Sequence, residues 1–361
     1  MSESSQKKRS SKYLNTSSLD INITLHESSN SIDGYESNYC KLLFTGKDIN
    51  FVLINTLRRT ILTIIPVYAF DIKNININKN TSIFNNDQLR LRLSNLPIYS
   101  KNDVDLINPH STIESFKNLE YNSSLMLSEI DKTIISEKED ITNNLTISVN
   151  VKNIDSNDIL NVMTDNINVK YSLNKQQIEN IYAKPILLLQ LQPEQSINFT
   201  MISSLNNAIY NSTFRCCSKC HYEEISENKF IFELHSRRQI TEKEIILRAC
   251  EILISKITNT HQILVEKINE HGNANKEGNI IIEGEQHTLG NLLSLYLQEH
   301  KDVIFAAYKI NNPNINQVEF IYKTDKNIIL ILEDIHIKLL DIFNNIISSI
   351  NNLSPFGYNI M

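Results

Sequence analysis

The spacing of apolar residues changes along the chain, and each change marks an element. In INITL and KLLF, within residues 20–47, apolar and polar positions alternate, which predicts strands. From about Asp48 to Ile65 the spacing becomes helical. Ile54, Leu57, Ile61 and Ile65 form one apolar stripe, with Asp48 as expected N-cap and Pro66 as the stop. Asn55, Thr56, Arg59, Thr60 and Thr63 are expected on the polar side, whereas Arg58 falls inside the stripe. An arginine there either snorkels to the rim or meets a carboxylate or carbonyl of another chain.

VYAFDIKNIN reads as a strand, and NTSIFNNDQLRLRLSNLPI as a short helical segment ending at Pro97. Residues 99–186 are polar and β-leaning, with alternations in LTISVNV (145–151) and INVKYSL (167–173), and are expected to be a small inserted β-rich domain. KPILLLQL (184–191) and INFTMI (197–202) are strands beyond it. Thr241 and Glu244 form a Thr-x-x-Glu capping box at the head of a helix carrying Ile246, Ala249, Leu253 and Ile257 and reaching about Ile268. The polar, Gly-containing run 269–279 is the best domain boundary. After it come the strand IIIEG (280–284) and a helix with Thr288 as expected N-cap and Leu289, Leu292, Leu293, Tyr296 and Leu297 on one face. The strands IFAAYKI and QVEFIYK follow. A closing helix carries Ile335, Leu339, Ile342, Ile346, Ile350 and Leu353 up to Pro355, and its stripe is too apolar to face water.

The two ends echo each other. LLFTG (42–46) and IIIEG (280–284) each precede a helix containing an Asn (Asn55, Asn291), then a strand, and each half later supplies a long apolar helix. The pattern suggests two copies of one α+β unit whose apolar helices bury each other about a pseudo-twofold axis. Joining the copies makes their association intramolecular.

Composition adds exclusions. The chain has 361 residues, 41% hydrophobic and 21% charged, with only 7 Gly and 7 Pro, so long elements are expected. Ser- and Lys-rich residues 1–19 read as a disordered tail. A net charge of −6 and no basic run beyond KKR at 7–9 argue against independent nucleic-acid binding. Five unevenly placed Cys suit a reducing compartment, and no run of apolar residues is long enough to span a membrane. Cys216, Cys217, Cys220 and His221 invite a zinc reading, but no second Cys pair completes it; His235 and Cys250 are the nearest candidates. Strand alternation would send Cys216 and Cys220 to one face, and reduced thiols without metal are the expectation. His287 is expected to bond locally within its turn, and Glu283, Glu285 and Asp48 suit helix starts. There is no Ser-His-Asp order, Gly-rich phosphate loop or Asp-x-Asp-x-Asp triad, so neither a catalytic residue nor a cofactor is expected.

The run FVLINTLRRTILTIIPVYAFDI (51–72), with NTSIFNNDQLRLRLSNLPI (80–98), resembles RNA polymerase subunit 3, its archaeal D-type counterpart and the bacterial alpha N-terminal domain. Matching positions include Asn55, Leu57, Arg58, Arg59, Pro66, Asp71, Asn80, Thr81, Arg92, Leu93 and Pro97. GEQHTLGNLLSLYLQEHKDVIFAAYKINNP (284–313) resembles subunit 11 and its archaeal L-type counterpart, through His287, Thr288, Leu289, Gly290, Asn291, Leu292, Leu293, Ala306, Tyr308 and Pro313. Such a fusion resembles that of large nucleocytoplasmic DNA viruses.

The resemblance implies an α+β fold of two alpha-N-terminal-domain-like dimerisation units forming an intrachain pseudo-twofold heterodimer. The subunit-3-like unit would comprise 20–98 plus 187–268, interrupted by the insert, and the subunit-11-like unit 280–361. The dimerisation residues would be Leu57, Ile61, Leu253, Ile257, Leu289, Leu292, Leu293, Tyr296, Ile342, Ile346 and Ile350. It further implies a non-catalytic assembly platform, with Asn55, Arg58 and Arg59 at the second-largest subunit. Other implied partners are the largest subunit and small subunits resembling 10 and 12, with DNA and RNA reached only through the complex. The location would be a viral factory in the cytoplasm and the virion, or the nucleus for a cellular protein. The insert lacks the Cys clusters of many cellular relatives, and the family's Ala-Lys-Trp-Ser-Pro loop is reduced to Ala208-Ile209-Tyr210-Asn211-Ser212, so neither role is carried over. Rival readings are a stand-alone zinc-binding transcription regulator and the equivalent pair of a protist nuclear polymerase.

Overall fold

The computed structural model describes residues 19–29, 38–98, 144–154, 157–173, 175–182, 184–270, 276–312 and 316–353. Most of the expected tail and much of the insert and boundary run, with Pro313 and Pro355, lie outside the described residues.

The chain begins with β1 (Asn22–Ser29), β2 (Tyr39–Thr45) and α1 (Phe51–Thr63). β3 (Val67–Asn80) and α2 (Asn86–Ser94) follow. Next come β4 (Leu145–Lys152), β5 (Leu160–Met163), β6 (Val169–Leu173), β7 (Gln176–Ile178), β8 (Leu187–Leu191) and β9 (Ser196–Asn206). β10 (Cys217–Ser226) and β11 (Lys229–Ser236) lead to the long helix α3 (Glu242–Glu270). The last part is β12 (Glu277–Glu283), α4 (His287–Glu299), β13 (Val303–Lys309), β14 (Gln317–Thr324) and α5 (Ile328–Asn352). Helices and mostly antiparallel sheets coexist without βαβ alternation, an α+β fold.

Two apolar cores organise these elements. The first combines the sheet β1-β2-β11-β10, the sheet β12-β14-β13 and all four long helices. The second lies on the sheet β3-β9-β4-β6-β7 and the ribbon β5-β8, covered by α2. The strands of 99–186 therefore do not form a sheet of their own. β4 pairs with β9 through Thr146↔Ile202 to Lys152↔Ser196, and β9 pairs with β3, so the second core draws on 67–98 and 187–206 as well. Strand edges need partners wherever they lie in sequence.

Helix starts follow local hydrogen bonding, and two differ from expectation. α1 is capped by Asn50, whose side chain accepts from Leu53 N at 2.9 Å. Asp48 instead accepts from Asp20 N at 2.9 Å, anchoring the lead into β1. α4 starts at His287 behind Gln286, not at Thr288, whose hydroxyl is taken by another residue. At α3 half of the expected box forms: Glu244 N donates to Thr241 Oγ1 at 3.2 Å, while the Glu244 carboxylate reaches forward to Arg248 Nε at 2.9 Å.

α1 is buried on two sides. Its apolar stripe meets β10 and β11, and its second side meets α3 and α4. Thr56 and Thr60, expected to face water, are consequently buried. α3 and α5 pack along each other and cover the stripe Ile335, Leu339, Ile342, Ile346 and Ile350. Burial of each such side chain is worth about 1.5–3 kcal/mol, so this seam dominates the first core.

Within the seam, His261 of α3 stacks on His336 of α5, centroids 4.4 Å apart and planes 8° from parallel. Burial lowers the pKa of both imidazoles below 6.5; Glu333 opposes the shift at His261, and His261 adds to it at His336. A depressed histidine pKa favours the folded state when neutral. The contribution is complete above the unfolded value and falls away as pH drops through the folded values. Urea midpoints should therefore decline below about pH 6.5, and His261→Phe with His336→Phe should flatten that decline, read by circular dichroism across a pH series.

Candidate functional site

The two motif helices meet. Leu57 and Ile61 of α1, Leu253 and Ile257 of α3, and Leu289, Leu292, Leu293 and Tyr296 of α4 all belong to the first core, with Ile342, Ile346 and Ile350 of α5. Each is at most 5% exposed. Residues from both ends of the chain thus share one continuous apolar cluster.

Polar ties cross the same seam. Arg59 Nε donates to Thr288 Oγ1 at 2.7 Å, joining α1 to α4. Lys256 Nζ of α3 sits 2.7 and 2.9 Å from the two carboxylate oxygens of Glu285, just before α4, with both side chains largely buried. Tyr296 bonds to the cap residue Asn50, and burial raises its phenol pKa. Arg58 and Asn55 behave differently. Arg58 is half-buried and its Nε donates to Asn55 Oδ1, one turn back, at 3.1 Å. Arg58 is thus held to its own helix at the rim of the core.

The motif residues of α4 have physical reasons. A Cβ on Gly290 would lie 2.8 Å from Tyr308 Cδ2, so only glycine lets the β13 ring approach this closely. Tyr308 Oη also lies 3.3 Å from His287 Nδ1, with the rings edge to face. The expected local bonding of His287 thus runs to a strand 21 residues away. Asn291 is half-buried on the same helix. In the other motif, Arg92 donates to the carbonyls of Leu188 and Leu187 at 2.6 and 3.0 Å, tying α2 to β8. Asn80 and Thr81 hold the turn after β3, Thr81 through Ser196 N at 2.7 Å.

The cysteines are interior residues. A bulge between Cys217 and Lys219 breaks the alternation, so Cys217 and Cys220 both point inward while Ser218 and Lys219 point out. Cys216 lies just before β10, and it and Cys220 are buried in the same core, joined there by Cys217. Cys216 Sγ donates to Ile61 O at 3.2 Å, under α1. The interactions among Cys216, Cys217 and Cys220 lower the Cys217 thiol pKa and raise those of Cys216 and Cys220, while burial raises Cys40 and Cys250. His221 and His235 are drawn to Glu233 instead, at 3.6 and 2.6 Å. Burial opposes ionisation of Glu233, but bonds from Lys219 and His235 and the His221 charge bring its pKa down to about 2. Among the described residues no three His, Cys, Asp or Glu side chains converge as metal ligands.

Sequence reasoning did not single out Lys256–Glu285 or His261–His336. The spacing of Lys256 and His261 on the half-polar side of α3 was visible, but their partners lie 29 and 75 residues away. The loop Ala208–Ser212 forms a turn in which Tyr210 Oη accepts from Lys73 Nζ at 2.8 Å.

Helices from both ends of an α+β chain thus share one apolar core, with polar ties between them. The chain belongs to the RNA polymerase Rpb3/Rpb11 dimerisation-domain family, whose models match residues 43–257 and again 277–352. Two such domains are fused in one polypeptide. The chain is 26% identical over 288 residues to a protein of Acanthamoeba polyphaga mimivirus provisionally named DNA directed RNA polymerase subunit R470, covering 77% of this chain and 80% of that one. It is also 49% identical over 45 residues to the DNA-directed RNA polymerase subunit Rpo11 of Archaeoglobus fulgidus, 12% of this chain and 52% of that one.

Gly290→Ala should lower stability by about 1–3 kcal/mol through overpacking against Tyr308. In a Tyr308→Ala background the same change should be neutral or stabilising, because alanine is the better helix former by about 1 kcal/mol. Urea denaturation of the four proteins closes this cycle.

Proposed function

We propose that this chain is the assembly platform of a multisubunit DNA-dependent RNA polymerase, one polypeptide serving as two partner subunits. The observation that carries the reading is the single core in which residues of both family domains, from Leu57 to Ile350, are buried together. On this reading the two units pair about a pseudo-twofold axis, and residues 67–206 ride on the first. Fusion replaces a bimolecular encounter by a high effective concentration.

The platform holds the two large catalytic subunits and supplies no catalytic residue. Asn55, Arg58 and Arg59 form its contact with the second-largest subunit, Arg59 also serving the seam through Thr288. The largest subunit and small subunits resembling 10 and 12 complete the assembly. Nucleic acid is reached through the complex, in keeping with the net charge of −6. The likeness to a mimivirus protein supports a cytoplasmic viral factory and the virion as the location.

Affinity capture of the full chain from its native source, followed by mass spectrometry, should recover both large polymerase subunits in amounts comparable to the bait. Purified alone, the chain should incorporate no nucleotide. Recovery without any large subunit would sink the reading.

The intrachain pairing has a separate test. A protease site placed within 271–275 should be cut without separating the pieces, which should elute together in gel filtration. Two separately eluting folded pieces would refute the shared core.

A further inference from the structure

The chain is acidic overall, with formal charge −6, yet one concavity has the opposite sign. It is a cleft of about 290 Å³ between the two cores. One wall is apolar, formed by Val67 at the head of β3 and by Leu96, Pro97 and Ile98 after α2; Pro97 is half-buried and the other three are buried. The facing wall, where the chain enters β10 and leaves β11, carries Arg215, Arg237 and Arg238. Among the described residues lining the cleft, these are the only charged side chains.

The frame around the arginines is fixed. Gln239 accepts from Tyr68 N at 2.7 Å and donates to Tyr68 O at 2.9 Å, stitching the two walls. Arg237 Nη1 donates to Thr213 O at 3.2 Å. Arg238 has φ +65°, a left-handed conformation uncommon outside glycine, and it turns the chain at the cleft edge. Glu242 lies behind this wall, buried, its carboxylate accepting from Ser236 Oγ. Of the three arginines that line the cleft, Arg215 and Arg237 are exposed.

Guanidinium forks match carboxylates in shape and charge. An aliphatic wall beside them asks for a bulky apolar side chain on the same ligand. A nucleic-acid strand would call for a longer basic track, which this acidic surface does not extend. We propose that the cleft is a docking site for a partner polypeptide segment in which Asp or Glu residues flank a bulky aliphatic residue. The carboxylates engage Arg215 and Arg237, and the aliphatic side chain rests on the apolar wall at Pro97. The site stands independently of the polymerase reading.

The test uses the full chain and fluorescence anisotropy with two pools of short labelled peptides. Both pools are degenerate at the flanks and fixed at one Leu or Ile. One carries Glu and Asp beside it, the other Gln and Asn. The acidic pool should bind about tenfold or more tightly than its amide counterpart, the scale of losing charge-assisted bonds. Arg215→Ala with Arg237→Ala should remove that preference while leaving the melting temperature within a few degrees of the parent. Arg215→Glu, changing one exposed side chain alone, should weaken the acidic pool and not the amide pool. Equal binding of the two pools, no binding of the acidic pool at millimolar peptide, or a preference unchanged in both variants would overturn the proposal. So would a short single-stranded DNA oligonucleotide that binds more tightly than the acidic pool and is lost in the same variants.

Discussion

Everything in the first core depends on one constraint: α3 and α5 each carry an apolar stripe too long for a small sheet to cover. α3 runs from Glu242 to Glu270 and α5 from Ile328 to Asn352, several turns beyond the strands beside them. Left to water, either stripe would be an aggregation surface. Laid along each other they bury Leu253, Ile257 and Leu264 against Ile335, Leu339, Ile342 and Ile346. The contact also brings α1 and α4 together, so Leu57 and Leu292 enter the same cluster. Apolar burial makes this seam strong but does not fix its register. The polar ties do, since Arg59–Thr288 and Lys256–Glu285 each satisfy a specific geometry only when the helices are correctly placed.

The four long helices were legible because their stripes repeat over three turns or more. Their starts were not, for a common reason. Asp48 and Thr288 are both good capping residues by type, yet both are occupied by distant partners, Asp20 and Arg59. A cap is a competition for one side chain, and sequence near the helix shows only one competitor. The polar side of α1 failed similarly. Thr56 and Thr60 are buried in a helix packed by β10, β11, α3 and α4, elements more than 150 residues downstream. The bulge at Cys217 was hidden because one inserted residue leaves the local composition unchanged.

The boundary of the β-rich insert was read from a change in character at 99, but the sheet is indifferent to it. β3 is long enough to serve both cores: Val67 and Ala69 face the first, Tyr68, Phe70 and Ile75 the second. A strand with this division reads in sequence as one continuous apolar run, VYAF, followed by alternation. Its partner β9 then carries the pairing on to β4. The candidate motif residues divide accordingly. Asn80, Thr81 and Arg92 tie together elements of the second core, whereas Arg59 crosses the seam of the first to Thr288 and Gly290 packs under Tyr308 of β13.

A shared β3 makes the second core mechanically continuous with the first, and the arginine cleft sits where they join. Its lining draws on residues of both cores, Val67 and Cys216 of the first and Leu96 and Ile98 of the second. The Gln239–Tyr68 bonds fix that position on one side with two backbone groups. A ligand bridging Arg215 and Arg237 to the apolar wall would add a further tie across the same junction. Binding there and rigidity between the cores are then linked: whatever stiffens the junction prepays part of the ordering cost of the ligand, and the ligand stiffens the junction by an equal free energy. A site at the junction where the two cores meet is placed to let a partner set their relation.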